Sequence, residues 1–114
     1  MHELSIASSI VDMAWEEADR RGVRVNTVYL ELGPLAGVVR EALLSAYELA
    51  AAGTALEGSR LVVTDVPIVA FCPVCREKRA IRSAQRLCCP ECQTPTPEVV
   101  QGADLRVTAL EVEQ

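Results

Sequence analysis

The chain has 114 residues, half of them apolar, and a net charge of −5. That length fits one compact domain, or one domain with a small insert, and the apolar share is enough for a core. The acidic balance and the scarcity of aromatic residues (Trp15, Tyr29, Tyr47, Phe71) argue against nucleic acid as a partner, which calls for basic charge and stacking rings. A membrane span is excluded too, because the most apolar run, Ala42 to Leu56, is interrupted by Glu48 and Gly53 and is too short to cross a bilayer.

The first predicted element is a helix from Leu4 to about Arg21. Leu4, Ala7, Ile10, Val11, Ala14, Trp15 and Ala18 recur at helical spacing, with Asp12, Glu16 and Asp19 on the other side. Arg20, Arg21 and then Gly22 form an expected helix end. A helix that begins almost at the first residue holds the amino terminus in place and makes it a candidate site. Val25, Val28, Leu30 and Leu32 predict a strand that Gly33-Pro34 stops, and Val38 to about Ala52 predicts a second, largely apolar helix. Leu61 to Phe71 is a strand run with Pro67 inside it. Proline cannot donate a ladder hydrogen bond, so an edge, bend or bulge is expected there.

Directly after that run come Cys72-Pro73-Val74-Cys75, thirteen residues, and Cys89-Pro90-Glu91-Cys92. A two-residue gap lets both sulfurs of a pair turn onto one ion, and the longer loop returns the second pair to the first. Soft thiolates favour zinc, or iron in a rubredoxin-type centre, over oxygen-seeking cations. Four thiolates leave no open position for water, which makes a structural zinc site, Zn(II), the expectation rather than a catalytic one. An odd cysteine count with paired spacing suits metal binding in a reducing cytoplasm better than a disulfide framework. The opening Met1-His2-Glu3 has no basic region followed by an apolar stretch, so no secretory signal is visible and a cytoplasmic location is expected.

From Cys72 to Cys92, five basic residues stand against two acidic ones, a local +3, while the rest of the chain carries −8. A divalent ion with four thiolates is itself −2, so these basic residues can simply compensate the cluster. Cys88 lies directly beside Cys89. It reads either as a spare, partly buried thiol or as a substitute ligand in a partly loaded or oxidised state. After the second pair, Pro95 and Pro97 predict a linker, and Leu105 to Val112 a last strand. The metal segment then interrupts what would otherwise be a hairpin of the second and third strands, with its two tethers emerging side by side.

His2 is the only histidine. The Met1 amine, the deprotonated His2 amide and the His2 imidazole can close fused five- and six-membered chelate rings on one ion, with the Glu3 amide nitrogen completing a plane. Planar nitrogen coordination suits Ni(II) or Cu(II) and suits zinc poorly. Retention of Met1 is expected ahead of so large a second residue. The Glu3 carboxylate reads either as support for that site or as an ordinary acid at a helix N-terminus.

With both ends in view the chain resembles the HypA-type hydrogenase maturation factors, also called HybF. The resemblance rests on Met-His-Glu-Leu-Ser at Met1 to Ser5, Leu32-Gly33 before Gly37-Val38 and a helix with Glu41, the CPVC and CPEC pairs, and the segment GADLRVTALEVE. It implies an α+β fold: a small mixed three-stranded sheet with two helices on one face, plus a zinc-ribbon-like insert domain built on four cysteines. The domain division it implies is a nickel-binding domain of 1–70 and 96–114 and a zinc domain of 71–95. It further implies a nickel metallochaperone, not an enzyme, with nickel roles on Met1, His2 and Glu3 and zinc roles on Cys72, Cys75, Cys89 and Cys92. The implied partners are a HypB-type GTPase, the large subunit of [NiFe]-hydrogenase and, for some members, urease maturation proteins. A zinc-ribbon module docking on nucleic acid or transcription machinery is the alternative, and a rubredoxin-like carrier or thiol oxidoreductase is a third reading that no acid, base and nucleophile set supports.

Overall fold

The computed structural model describes residues 2–113. Helix α1, Glu3–Arg21, buries Ala7, Ile10, Val11, Ala14 and Ala18, among them three alanines, whose small side chains permit close approach of α2, Arg40–Ala51, against which it packs. Gly22 takes φ 66° and ends α1. The amide of Val23 then donates to Ala18 O at 3.0 Å and that of Gly22 to Asp19 O at 3.2 Å, which satisfies the last carbonyls of the helix. Helix α2 buries Leu43, Ala46, Tyr47 and Ala51. The phenol of Tyr47 keeps a partner in the core, lying 2.7 Å from Ser59 Oγ. Two residues of the apolar spacing in α1 do not join the core: Leu4 and Trp15 are both about half exposed. No helix among the described residues is long and apolar enough to cross a membrane.

Strands β1 (Arg24–Leu32), β2 (Arg60–Asp65), β3 (Ile68–Cys72), β4 (Glu77–Ile81), β5 (Glu98–Gln101) and β6 (Leu105–Glu113) form two three-stranded sheets, ordered β2-β1-β6 and β4-β3-β5. The fold is α+β, as the resemblance implies, but its strands are distributed differently from the sequence expectation. The run from Leu61 to Phe71 is two strands in two sheets, divided at Val66-Pro67. Pro67 does more than bend an edge. It ends one ladder, and its carbonyl accepts from Gln101 Nε2 at 2.8 Å. Nor do β2 and β6 form the expected hairpin, because β1 lies between them. The reason is burial: β1 is the strand whose residues are mostly hidden, while β2 and β6 are largely exposed and occupy edges.

The chain divides into two compact units. One comprises 1–30, 38–64 and 106–114, and the other 31–37 and 65–105, a wider span than 71–95. In the second unit β3 pairs antiparallel with β4, Ile68 opposite Ile81 through Cys72 opposite Glu77, and antiparallel with β5, with a register shift between Val69 and Ala70. Its apolar cluster is small: Ile68, Ala70 and Ile81, with Leu35, Ala84, Leu87 and Val99 packed against them. A short 3₁₀ turn, Pro34–Ala36, supplies Leu35. The turn is held there by hydrogen bonds from Gly33 N to Asp104 O and from Leu35 N to Gly102 O, at 3.0 and 2.9 Å.

Candidate metal centres

Cys72 closes β3, Cys75 lies in the turn between β3 and β4, and Cys89 and Cys92 follow in the long connection to β5. Both Cys-x-x-Cys turns are built alike. Arg76 N donates to Cys72 O at 2.7 Å, and Gln93 N to Cys89 O at 2.9 Å. The residue after each second cysteine is left-handed, φ 59° at Arg76 and 66° at Gln93, and these are the only non-glycine residues with positive φ among the described ones. That conformation reverses the chain so that the sulfurs, not the backbone, converge.

The four sulfurs lie within 4.8 Å of one another, with Cys72 Sγ 3.5 Å from Cys92 Sγ and Cys75 Sγ 3.9 Å from Cys89 Sγ. A tetrahedral ion with metal–sulfur bonds of about 2.3 Å separates its sulfurs by roughly 3.8 Å, so this donor set fits such an ion. Cys72 and Cys89 are fully buried, Cys75 is partly so, and Cys92 is exposed. The amide of Cys75 donates to Cys72 Sγ at 3.3 Å, support of the kind that orients a thiolate.

The electrostatics point the same way. Thr94 lowers the Cys92 thiol to about 6, first through its side chain, 3.1 Å away, and then through its backbone. The Arg79 guanidinium pulls Cys75 down, but Cys92, burial, and the adjoining Cys72 and Cys89 outweigh it, and that thiol is pushed up to about 11. Sulfurs this close cannot all ionise near neutrality by themselves, and a divalent cation removes the conflict. Arg79 in turn is held firmly cationic, first by its hydrogen bond to Cys75 and also by Glu77, whose carboxylate is 3.0 Å away. The sequence reading assigned charge compensation to the basic residues of this segment as a group. Among them Arg79, on β4 opposite Ala70, hydrogen-bonds the Cys75 thiol, and Thr94 acts on Cys92, a role that no spacing signals.

Cys88 is not part of the cluster. It forms an isolated bridge with Pro95 and borders a shallow cavity of about 220 Å³ with Arg82, Ser83 and Arg86.

At the other end, Met1 lies outside the described residues. His2 is the exposed N-cap of α1, in extended conformation at φ −85°, and its side chain makes no cap hydrogen bond. Its carbonyl accepts from Ile6 N at 3.2 Å. Glu3 sits in the first turn of α1 and reaches α2: its Oε2 accepts from Val39 N at 3.2 Å, and Val39 is the N-cap of α2. The Val39 amide, followed by Glu3's own amide, lowers the carboxyl below its ordinary range. Glu3 thus stands in the first turn of α1 and ties the starts of two helices together, which the sequence did not indicate. Among the described residues, the four cysteines are the only cluster of three or more His, Cys, Asp or Glu ligands close enough to hold an ion.

Residues 1–112 match a family model described as hydrogenase/urease nickel incorporation, metallochaperone, hypA. A hydrogenase maturation factor HypA of Roseiflexus sp. strain RS-1 is 45% identical over 114 residues, which span 99% of this chain and 93% of that protein. One from Chloroflexus aurantiacus is 43% identical over 112 residues, spanning 97% and 98%. Among solved structures, the solution structure of the Ni metallochaperone HypA from Helicobacter pylori aligns over 97% of both chains with a TM-score of 0.70 at 21% identity. A second, a solution structure of HypA protein, reaches 0.75 over 99% and 97% at 21% identity. At that identity the two structures speak for the fold alone.

Proposed function

Because the chain belongs to the HypA family of nickel metallochaperones for hydrogenase maturation, we propose that it carries Ni(II) at Met1, His2 and Glu3 and delivers it to the large subunit of [NiFe]-hydrogenase. The observation that carries this reading is the state of His2. It is the only imidazole in the chain, stands exposed at the head of α1, and takes no part in capping the helix. The Met1 amine, the His2 amide and imidazole, and the Glu3 amide would supply planar nitrogen donors suited to nickel. Coordination requires amine and imidazole to shed protons, so mild acid favours release. An exposed helix start is also easy to strip, which suits handover.

The second ion is Zn(II), held by Cys72, Cys75, Cys89 and Cys92. With four thiolates the site is closed, and zinc there shapes segment 71–95 rather than reacting. A HypB-type GTPase is the proposed partner in nickel loading, urease maturation proteins are further candidates as recipients, and the cytoplasm is the proposed compartment.

The test is calorimetric titration of nickel into untagged, zinc-loaded protein. His2→Ala, and separately a variant of the chain acetylated at the Met1 amine, should each weaken nickel binding at least about tenfold, since the first removes the imidazole donor and the second the amine donor, while zinc stays at one ion per chain. Unchanged nickel affinity in both variants would refute the terminal site.

A further inference from the structure

Trp15 is the only tryptophan in the chain, and α1 turns it outward although the spacing of its apolar residues would have placed it in the core. It is 52% exposed. The indole stands between two hollows. One, of about 340 Å³, is walled by Asp12, Glu16 and Asp19. The other, of about 270 Å³, is lined by Val23, Val25, Ala55 and Leu56, with Asp19 and Arg24 also on its walls. Arg20 and Arg21 both pair with Glu17, and Arg20 also feels the charge of Glu16, so the acidic side is offset only in part.

We propose that this face of α1 docks a cationic amphipathic segment of a partner protein. An apolar side chain of that segment enters the hollow beside Trp15, and a lysine or arginine lies over the indole among Asp12, Glu16 and Asp19. Charge complementarity selects this occupant. A large aromatic side chain left half in water is what a binding anchor looks like before its partner arrives, a cation over an indole is attracted by the ring's negative face, and three carboxylates beside it reinforce the preference. Asp19 and Arg24 both line the apolar hollow, so their charges offset there and that half of the surface takes the uncharged side chain. None of these residues belongs to either metal centre, and the proposal stands apart from the nickel reading.

Trp15 reports its own environment, since no other indole contributes fluorescence. The test titrates a synthetic amphipathic peptide of leucine and arginine into the full-length, zinc-loaded protein, beside a counterpart with glutamate for arginine. The arginine peptide should shift Trp15 emission to the blue, with affinity that falls at least about tenfold in the triple variant Asp12→Asn, Glu16→Gln, Asp19→Asn. A control triple variant, Glu41→Gln, Glu48→Gln, Glu113→Gln, removes the same charge elsewhere and should bind like the parent. Trp15→Ala, followed by calorimetry, should also lose binding. All of these residues are exposed, and circular dichroism checks that each variant keeps its helices. Equal loss in the control, equal binding of the glutamate peptide, or unchanged emission would each overturn the proposal. So would a dimer of this chain that the first triple variant dissociates, because the basic stretch of a second copy would then be the occupant.

Discussion

Gln93 and Arg76 show how much one backbone angle contributes to a metal site. Each follows the second cysteine of a pair, and each holds a conformation, φ 66° and 59°, in which a side chain normally crowds the following carbonyl. The amide hydrogen bonds back to Cys89 O and Cys72 O fix the reversal, and four converging sulfurs hold both ends of it. A β-branched side chain adds steric cost at such an angle, about 1–2 kcal/mol, whereas glycine removes it. Gln93→Val should therefore release zinc to a competing chelator about tenfold faster than the parent, the kinetic equivalent of about 1.4 kcal/mol. Gln93→Gly should match or exceed the parent. A colorimetric zinc-release assay separates the two outcomes, and equal release from all three proteins would mean that the turn contributes nothing to holding the ion.

At the scale of elements, the place where three chain segments converge matters most. Gly33 follows β1, and a Cβ there would stand 2.2 Å from the carbonyl oxygen of Gly102. Gly102 follows β5 at φ 103°, and its own Cβ would meet Ile68 Cα, at the start of β3, at 2.8 Å. The obstructing atoms are backbone, which cannot rotate away. Gly33→Ala or Gly102→Ala should lower stability by about 1–3 kcal/mol, as overpacking does. Gly58→Ala, at φ 85° with nothing within 4 Å, should lose only the smaller left-handed penalty of about 1–2 kcal/mol. Urea midpoints measured at constant zinc check the order, and a Gly58 variant as unstable as the Gly33 variant would contradict it. This convergence also shows what the sequence could not convey. Local signals located α1, β1, α2 and the break at Pro67, because periodicity and proline act within a few residues. The placing of β1 between β2 and β6 depends on which strand is buried in the finished sheet. Strand β5, four residues between Pro97 and Gly102, is too short for its pattern to register at all.

For the whole molecule, the two compact units differ in what holds them. The unit containing α1 and α2 buries a larger set of aliphatic side chains together with Tyr47. The unit of 31–37 and 65–105 buries only Ile68, Ala70 and Ile81 in its apolar cluster, and so small a core needs a cross-link. The cysteine spacing indicated in advance where four sulfurs gather, because ligand geometry constrains sequence directly. Arg79 and Thr94 stayed hidden because their roles arise only once β4 and the second turn face the sulfurs, and Trp15 was misplaced because periodicity cannot tell a helix's core stripe from its shoulder. The unequal cores imply unequal loss of structure. Stripping the ion with a strong chelator at neutral pH should remove folding free energy specifically from the second unit, since structural zinc binding is itself folding energy there. In hydrogen exchange, amides of β3 and β4 such as those of Ala70 and Arg79 should lose protection by orders of magnitude, while those of Ile10, Ala14 and Leu43 on the two helices stay protected. Returning zinc should restore the first set. If the helices lost protection in step with the strands, the two units would be one cooperative structure; if neither changed, the four sulfurs would not be what holds the smaller core together.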